Sequence, residues 1–252
     1  MNINECLQTW KSEEQQPFSS WDFSYLDGRM LEDQHPWSYS SRAAELMRGS
    51  SSVLDMGTGG GERFLKLLEY WPKKVVATEE YPPNVKLAKE RLAPFGAKVV
   101  DFQLTLVGQM PFADGEFELV LNRHSGFNPR EVARILAAGG TFLTQQVHGL
   151  WVEDLLALFD ARPQWPNATP GMYIPELESA RLGIVQAEEW SGRLVFTDVG
   201  AIVYYLKAVP WLVPGFSVET HLQNLLNLQH RLESGQQLAF TARKYLIEAK
   251  KL

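Results

Sequence analysis

Three glycines at alternate positions, Gly57, Gly59 and Gly61, follow the carboxylate Asp55 at the end of a short apolar run that includes Val53 and Leu54. Glycine accepts the left-handed backbone of a tight turn and lets the main chain approach a ligand with no Cβ in the way. Phe64, Leu65, Leu67 and Leu68 then recur at helical spacing. The turn is therefore expected between a strand and an amphipathic helix, where α/β sheets hold ligands and a helix start offers unpaired N–H groups. That placement predicts a nucleotide-bearing ligand. A dinucleotide fingerprint, G-x-G-x-x-G, needs glycine at position 62. Position 62 is Glu62, which argues against a nicotinamide cofactor.

A second carboxylate, Glu79, ends the apolar run 74–78, about 20 residues past the glycines, the spacing expected of an acid that reads a ribose in a βαβ unit. A carboxylate suits that task because both of its oxygens accept hydrogen bonds. Glu80 beside it is expected in solvent. Two histidines close later strands: His124 in Asn122-Arg123-His124-Ser125, and His148. A histidine at that sheet edge can take a proton near neutral pH, or can be an ordinary hydrogen-bonded loop residue. His124 is the stronger candidate for lining an acceptor site and serving as a base.

These residues need a sheet to position them. The pattern predicts strands at 74–78, 98–104, 116–121 and 141–147, with helices at 84–92 and 129–136, the latter opened by Pro129 and closed by Gly139-Gly140. Alternating strands and helices imply a mostly parallel sheet covered on both faces. Beyond residue 150 the rhythm loosens. Expected there are a helix at 151–159, a proline-rich loop, a strand at 183–190, a helix capped by Asp198, a helix at 218–232 and an antiparallel final strand at 240–249. The first 49 residues carry Trp10, Phe18, Trp21, Phe23, Tyr25, Trp37 and Tyr39 before any clear strand. Most are expected to pack that segment onto the domain, and some to close over a ligand.

At 252 residues the chain is expected to form a single domain, 1–252. It divides into an aromatic-rich cap (1–49), a ligand-binding core (50–150) and an acceptor-side elaboration with the last strands (151–252). No apolar run approaches the roughly 18 residues of a membrane span, the start lacks a secretory leader, and Cys6 is the single cysteine, so a cytoplasmic location is expected. A net charge of −6 supplies no general attraction to a phosphate backbone.

Asp55 with G-x-G-x-G resembles motif I of the class I S-adenosylmethionine-dependent methyltransferases. Val76-Ala77-Thr78-Glu79 resembles their motif II, Met110 through Val120 their L-P-F-x-D-x-x-F-D-x-V segment, and Asn128 through Thr141 their helix, Gly-Gly and fifth strand. The resemblance, to the methyltransferase type 11-like group, covers roughly residues 50–150. It implies a doubly wound, Rossmann-like seven-stranded α/β sheet, mostly parallel with an antiparallel last strand, plus N-terminal and C-terminal helical lid elements. The cofactor implied is S-adenosyl-L-methionine, held by Asp55, Gly57, Thr58, Gly59, Gly61, Glu79 and Asn122, with Glu79 on the ribose hydroxyls. Leu106 stands where many relatives place an adenine-binding aspartate, so the resemblance leaves adenine to backbone groups around Leu106 and Val107, or to Gln109.

Methyl transfer in this family is one in-line displacement, for which a near-attack alignment is worth roughly 7–11 kcal/mol; a base, here His124, is needed when the nucleophile arrives protonated. Arg123-His124-Ser125 after Asn122 breaks the N-P-P-Y pattern of amino-directed enzymes. The expected acceptor is a small molecule, walled by Trp165, Tyr173, Tyr204, Tyr205 and Trp211, in a monomer or homodimer without a metal. Two alternatives stand beside it: an RNA methyltransferase, disfavoured by the charge and the lack of a cysteine-rich zinc module, and a catalytically silent cofactor-binding regulator.

Overall fold

The computed structural model describes residues 3–19, 21–102 and 108–252. Eight strands are hydrogen-bonded in the order β1-β7-β8-β6-β5-β2-β3-β4: β1 Met30–Glu32, β2 Ser52–Met56, β3 Lys74–Glu79, β4 Lys98–Asp101, β5 Phe117–Arg123, β6 Leu136–Val147, β7 Leu182–Phe196 and β8 Leu238–Lys251. The chain forms two compact units: residues up to 35 with 148–167 and 190–243, and residues 36–147 with 168–189 and 244–252.

The second unit holds the predicted sheet of seven strands. Parallel pairing joins β4 to β3, β3 to β2, β2 to β5 and β5 to β6, and β8 runs antiparallel to β6. Residues alternate between faces along each strand. Leu54, Val120 and Phe142 enter one buried cluster with residues of α5 (Pro129–Ile135) and α7 (Pro170–Ser179). Their neighbours Val53, Leu119, Leu121 and Leu143 enter another with residues of α2 (Tyr39–Arg48), α4 (Pro82–Leu92) and Phe64 of α3 (Glu62–Leu65). Burial on both faces explains why these strands read as unbroken apolar runs. Arg42 of α2 clamps the buried Glu248 of β8 through two bonds of 2.7 Å, a bidentate pair that fixes helix to sheet.

The first unit has its own core, including Trp10, Leu156, Phe196, Ile202, Leu206 and Leu225. It contains α1 (Ile3–Glu14), α6 (Glu153–Ala157), α8 (Val199–Ala208) and α9 (Leu222–Glu233). Asp198 caps α8 by accepting from Ala201 N at 2.8 Å, as its position predicted. Arg29 lies between two carboxylates, 2.8 Å from Glu13 and 2.7 Å from Asp198, and so joins α1 to the start of α8. Strand β1 pairs antiparallel with Leu194–Phe196 and adds an eighth strand to the expected seven. Three residues are too few to show period-two alternation, so the sequence pattern passed over it.

Four expected elements change. Gly139 and Gly140 do not end the helix: α5 stops at Ile135, and the glycines lie within β6, where the register shifts between Phe117↔Leu136 and Leu119↔Thr141. Gly139 has φ +72°, and a Cβ on Gly140 would sit 2.9 Å from the Ala137 carbonyl oxygen and 3.0 Å from that of Glu118. The glycines thus permit a bulge. The helix after the glycine turn is only four residues, Glu62–Leu65, because the chain tightens into a 3-10 turn at Leu68–Tyr70. The helix expected at 151–159 is five residues, and α7 occupies Pro170–Ser179 in the stretch expected as a proline-rich loop, with Pro170 in its first turn and Pro175 inside it. Among the described residues, no helix is long and apolar enough to cross a membrane.

The two nearest atoms that a Gly140 side chain would strike belong to backbone, with Leu136 Cδ2 close behind at 3.1 Å, so relief requires movement of the chain. Gly140→Ala should destabilise the fold by about 1–3 kcal/mol, the usual cost of overpacking. A denaturant melt with an unchanged midpoint would show that the bulge has slack.

Candidate active site

The neighbours β2 and β5 mark the point where the strand order reverses, and ligands bind outside the carboxyl ends of such strands. Met56 pairs with Asn122 at that edge. Beyond Met56 the three alternate glycines all adopt the left-handed region, with φ of +65° at Gly57, +63° at Gly59 and +85° at Gly61. Side chains are excluded there for steric reasons as well: a Cβ at Gly57 would overlap the Ser125 hydroxyl, and one at Gly61 would press on Leu92 of α4 at 2.9 Å.

The turn is sewn to the end of β3. Thr58 N donates to Thr78 O at 2.9 Å, Gly57 N to Thr78 Oγ1 at 3.3 Å, and Gly59 N to Glu79 Oε2 at 2.7 Å. The other Glu79 oxygen accepts from the backbone N–H groups of Glu80 and Tyr81 at 3.1 and 3.0 Å. Glu79 is buried, and three backbone donors hold its carboxylate. Oε2 accepts a single one of them, which leaves lone-pair capacity on that oxygen. Glu62 pairs with Arg91 of α4, whose guanidinium also donates to Gly60 O at 2.9 Å. The residue that spoils the dinucleotide fingerprint thus braces the turn.

Asp55 ends β2 beside this turn. Burial pushes its carboxyl up to about 7, against the pull of a hydrogen bond with the Thr58 hydroxyl and of the Arg123 charge, and with the Glu79 carboxylate adding to the rise. Both amide atoms of Asn84 in α4 are buried with no hydrogen-bond partner, and the buried Tyr39 hydroxyl lies in the field of Asp55 and Arg123. An unsatisfied buried donor or acceptor costs roughly 1–3 kcal/mol. Orphaned atoms around a glycine turn fit a polar ligand that would pair with them.

On the β5 side, Asn122 is buried in a network. Its Oδ1 accepts from Thr144 Oγ1 at 2.9 Å and from Gln146 Nε2, which also donates to Ser125 O at 2.9 Å. His124 follows with φ +58°, a strained value for a residue with a Cβ. Its Nε2 lies 3.2 Å from Gln145 Nε2, and Gln145 Oε1 accepts from Trp37 Nε1 at 2.9 Å. The indole can only donate, so it fixes the amide with oxygen toward Trp37 and NH2 toward the imidazole. His124 Nε2 must then accept. The neutral ring carries its proton on Nδ1, and Nε2 is withheld from proton abstraction.

His148 belongs to the other unit, where its Nδ1 accepts from Leu150 N at 3.0 Å as a buried loop residue. Of the expected acceptor wall, Tyr204 and Tyr205 are core residues: the Tyr205 hydroxyl accepts from Trp151 at 2.8 Å and the Tyr204 hydroxyl donates to Pro17 O at 3.2 Å. Tyr173 stacks on Phe127 at 4.6 Å. Trp165 and Trp211 are exposed and adjoin one another at 6.4 Å, with Trp21 5.5 Å from Trp211. Leu106 and Val107 lie outside the described residues, and Gln109 is exposed. Among the described residues, no cluster of histidine, cysteine and acidic side chains is placed to hold a metal ion. Asn84, Gln145 and Gln146 were not singled out from sequence, and Trp37 was read only as one of seven aromatics of the first segment; strand register and helix phase bring them to this edge.

Residues 53–143, from β2 into β6, match the model of a methyltransferase domain family. That segment, about a third of the chain, is thus similar to a methyltransferase domain, and the sheet has a Rossmann-like α/β fold. YcgJ of Bacillus subtilis strain 168, an uncharacterised methyltransferase, is 27% identical over 134 residues, 50% of this chain and 52% of that protein. The match therefore spans about half the length of that relative. Its crystal structure superposes with a TM-score of 0.58 at 18% identity, covering 84% of this chain and 97% of that one. A Bacillus halodurans protein described as a methyltransferase gives 0.58 at 20% identity over 84% and 99%. Geranyl diphosphate C-methyltransferase of Streptomyces coelicolor A3(2), solved with S-adenosyl-L-homocysteine, gives 0.50 at 15% over 84% and 76%.

Two outcomes check the electrostatics. A carboxyl whose pKa rises on folding favours the fold while protonated, and its ionisation removes that stability as pH climbs from about 4 to about 7. Asp55→Asn, which cannot ionise, should raise Tm more at pH 8 than at pH 5; equal effects at both would refute the burial argument. In long-range nitrogen–proton NMR correlations, His124 should show a protonated Nδ1 and a bare Nε2 near neutral pH, and Gln145→Glu should move the proton to Nε2.

Proposed function

We propose that the chain transfers a methyl group from S-adenosyl-L-methionine to a small organic acceptor, in a single in-line displacement. The observation that carries this reading is the Glu79 carboxylate, clamped on Gly59 N at 2.7 Å beside the glycine turn, with an oxygen able to accept further hydrogen bonds. In this reading Oε2 takes the ribose hydroxyls. Gly57, Thr58, Gly59 and Gly61 bring the backbone against the cofactor. Asn122, held by Thr144 and Gln146, forms the opposite wall.

When bound, the cofactor supplies the methyl group on a sulfonium centre. Asp55 offers negative charge to the cationic end of that molecule. Because its carboxyl titrates at about 7, the incoming cation favours ionisation and expels a proton. His124, with Nε2 engaged by Gln145, orients the acceptor and does not deprotonate it through that nitrogen. The nucleophile must then arrive with a lone pair ready to attack. The net charge of −6 supports a small acceptor over RNA. Support for the cofactor also comes from the Streptomyces enzyme of the same fold, which was solved with the demethylated product.

S-adenosyl-L-homocysteine should raise Tm whereas NAD should leave it unchanged, and titrations with S-adenosyl-L-methionine at pH 7 in buffers of different ionisation enthalpy should show proton release. Indifference of Tm to both ligands would end the cofactor reading. Incubation with methyl-labelled cofactor, a metabolite extract and total RNA then reads the acceptor class: label is expected in small molecules, and label in RNA would overturn that part.

A further inference from the structure

We infer that the Asn84 side chain reads the adenine edge of the bound cofactor, an assignment that rests on the cofactor reading above. Asn84 is 1% exposed, and neither its Oδ1 nor its Nδ2 has a hydrogen-bond partner. A buried amide with both ends unpaired is rare enough in a folded protein to require a reason. Its place supplies one. Asn84 lies in the first turn of α4, five residues after Glu79, and α4 packs against both β3 and β4. Helical phase puts Asn84 on the same face as Ala88 and Leu92, and Leu92 is the side chain that a Cβ on Gly61 would strike. Arg91 binds Gly60 O from the same helix. The orphaned amide therefore starts the helix that follows Glu79, on the buried face whose far end, two turns on, braces the glycine turn.

The chemistry selects the adenine base. A carboxylate such as Glu79 can only accept, which suits ribose hydroxyls but offers nothing to a ring nitrogen. Adenine presents its 6-amino donor beside the N7 acceptor, and a carboxamide is the side chain that answers both at once, whereas a 6-oxo purine presents two acceptors on that edge and leaves the carboxamide oxygen unpaired. Pro82 and Pro83 open α4 with fixed backbone angles, so the turn bearing Asn84 is pre-organised. The amide is covered in this arrangement, and the base must displace that cover to reach it.

The test compares S-adenosyl-L-homocysteine with its 6-oxo analogue, S-inosyl-L-homocysteine, by calorimetric titration of the wild-type chain and of Asn84→Leu. Wild type should prefer the adenosyl ligand by roughly tenfold or more, because a site built to hydrogen-bond a group rejects the analogue that lacks it. Asn84→Leu should bind the adenosyl ligand about ten- to a hundredfold more weakly and discriminate between the two by less than about twofold. Its ligand-free Tm should not fall, since two unpaired buried atoms are removed; a loss of Tm would mark the amide as structural. Asn84→Ser, a smaller change, should lose the same preference. Retention of both affinity and preference in the two variants overturns the inference. A wild-type chain that binds neither ligand overturns the cofactor reading itself.

Discussion

The carboxylate of Glu79 receives three backbone N–H groups, from Gly59 on one oxygen and from Glu80 and Tyr81 on the other. Hydrogen bonds to an ionised acceptor contribute roughly 1.5–3 kcal/mol each, and here they join two separate stretches of chain. One is the glycine turn that leaves β2; the other is the approach to α4. The bonds to Glu79 act with those from Gly57 and Thr58 to Thr78 and from Arg91 to Gly60 to hold three residues with positive φ in one arrangement.

The opposite wall depends on a different economy of donors and acceptors. Asn122, Thr144, Gln145 and Gln146 sit at the ends of β5 and β6, where parallel register places Asn122 against Thr144 and Arg123 against Gln145. Their side chains consume one another's hydrogen-bonding capacity in an order that begins with Trp37, which can only donate. A single indole thereby decides which nitrogen of His124 carries a proton. Such a network is specific because each member, buried or half-buried, would be left unsatisfied if another changed its orientation.

Much of the sheet was legible because its strands are buried on both faces and its glycine turn has strict spacing. Asp198 announced the start of α8, and Pro129 that of α5. The Gly139-Gly140 pair misled, since glycine closes helices and opens bulges alike, and the choice rests on the register between β5 and β6. Of the site, the residues adjacent in sequence were legible: Asp55, the glycines and Glu79. Trp37 and Gln145 were not, because 108 positions separate them and nothing local marks their bond. Asn84 was silent for a related reason. An asparagine in a helix's first turn is ordinary until its burial and lack of partners are known.

The unit with Trp10 and Phe196 in its core is assembled from three separated stretches of the chain. Arg29 reaches Asp198 across 169 positions, and β1 finds its partner only at Leu194–Phe196. During synthesis the leading segment therefore emerges long before the residues that will bury it. Trp10, Leu26, Phe18 and Phe23 must wait in water, available to chaperones and to other nascent chains, while the intervening sheet strands are made. For this unit the native contacts close loops over most of the chain's length, which costs entropy before those contacts can repay it.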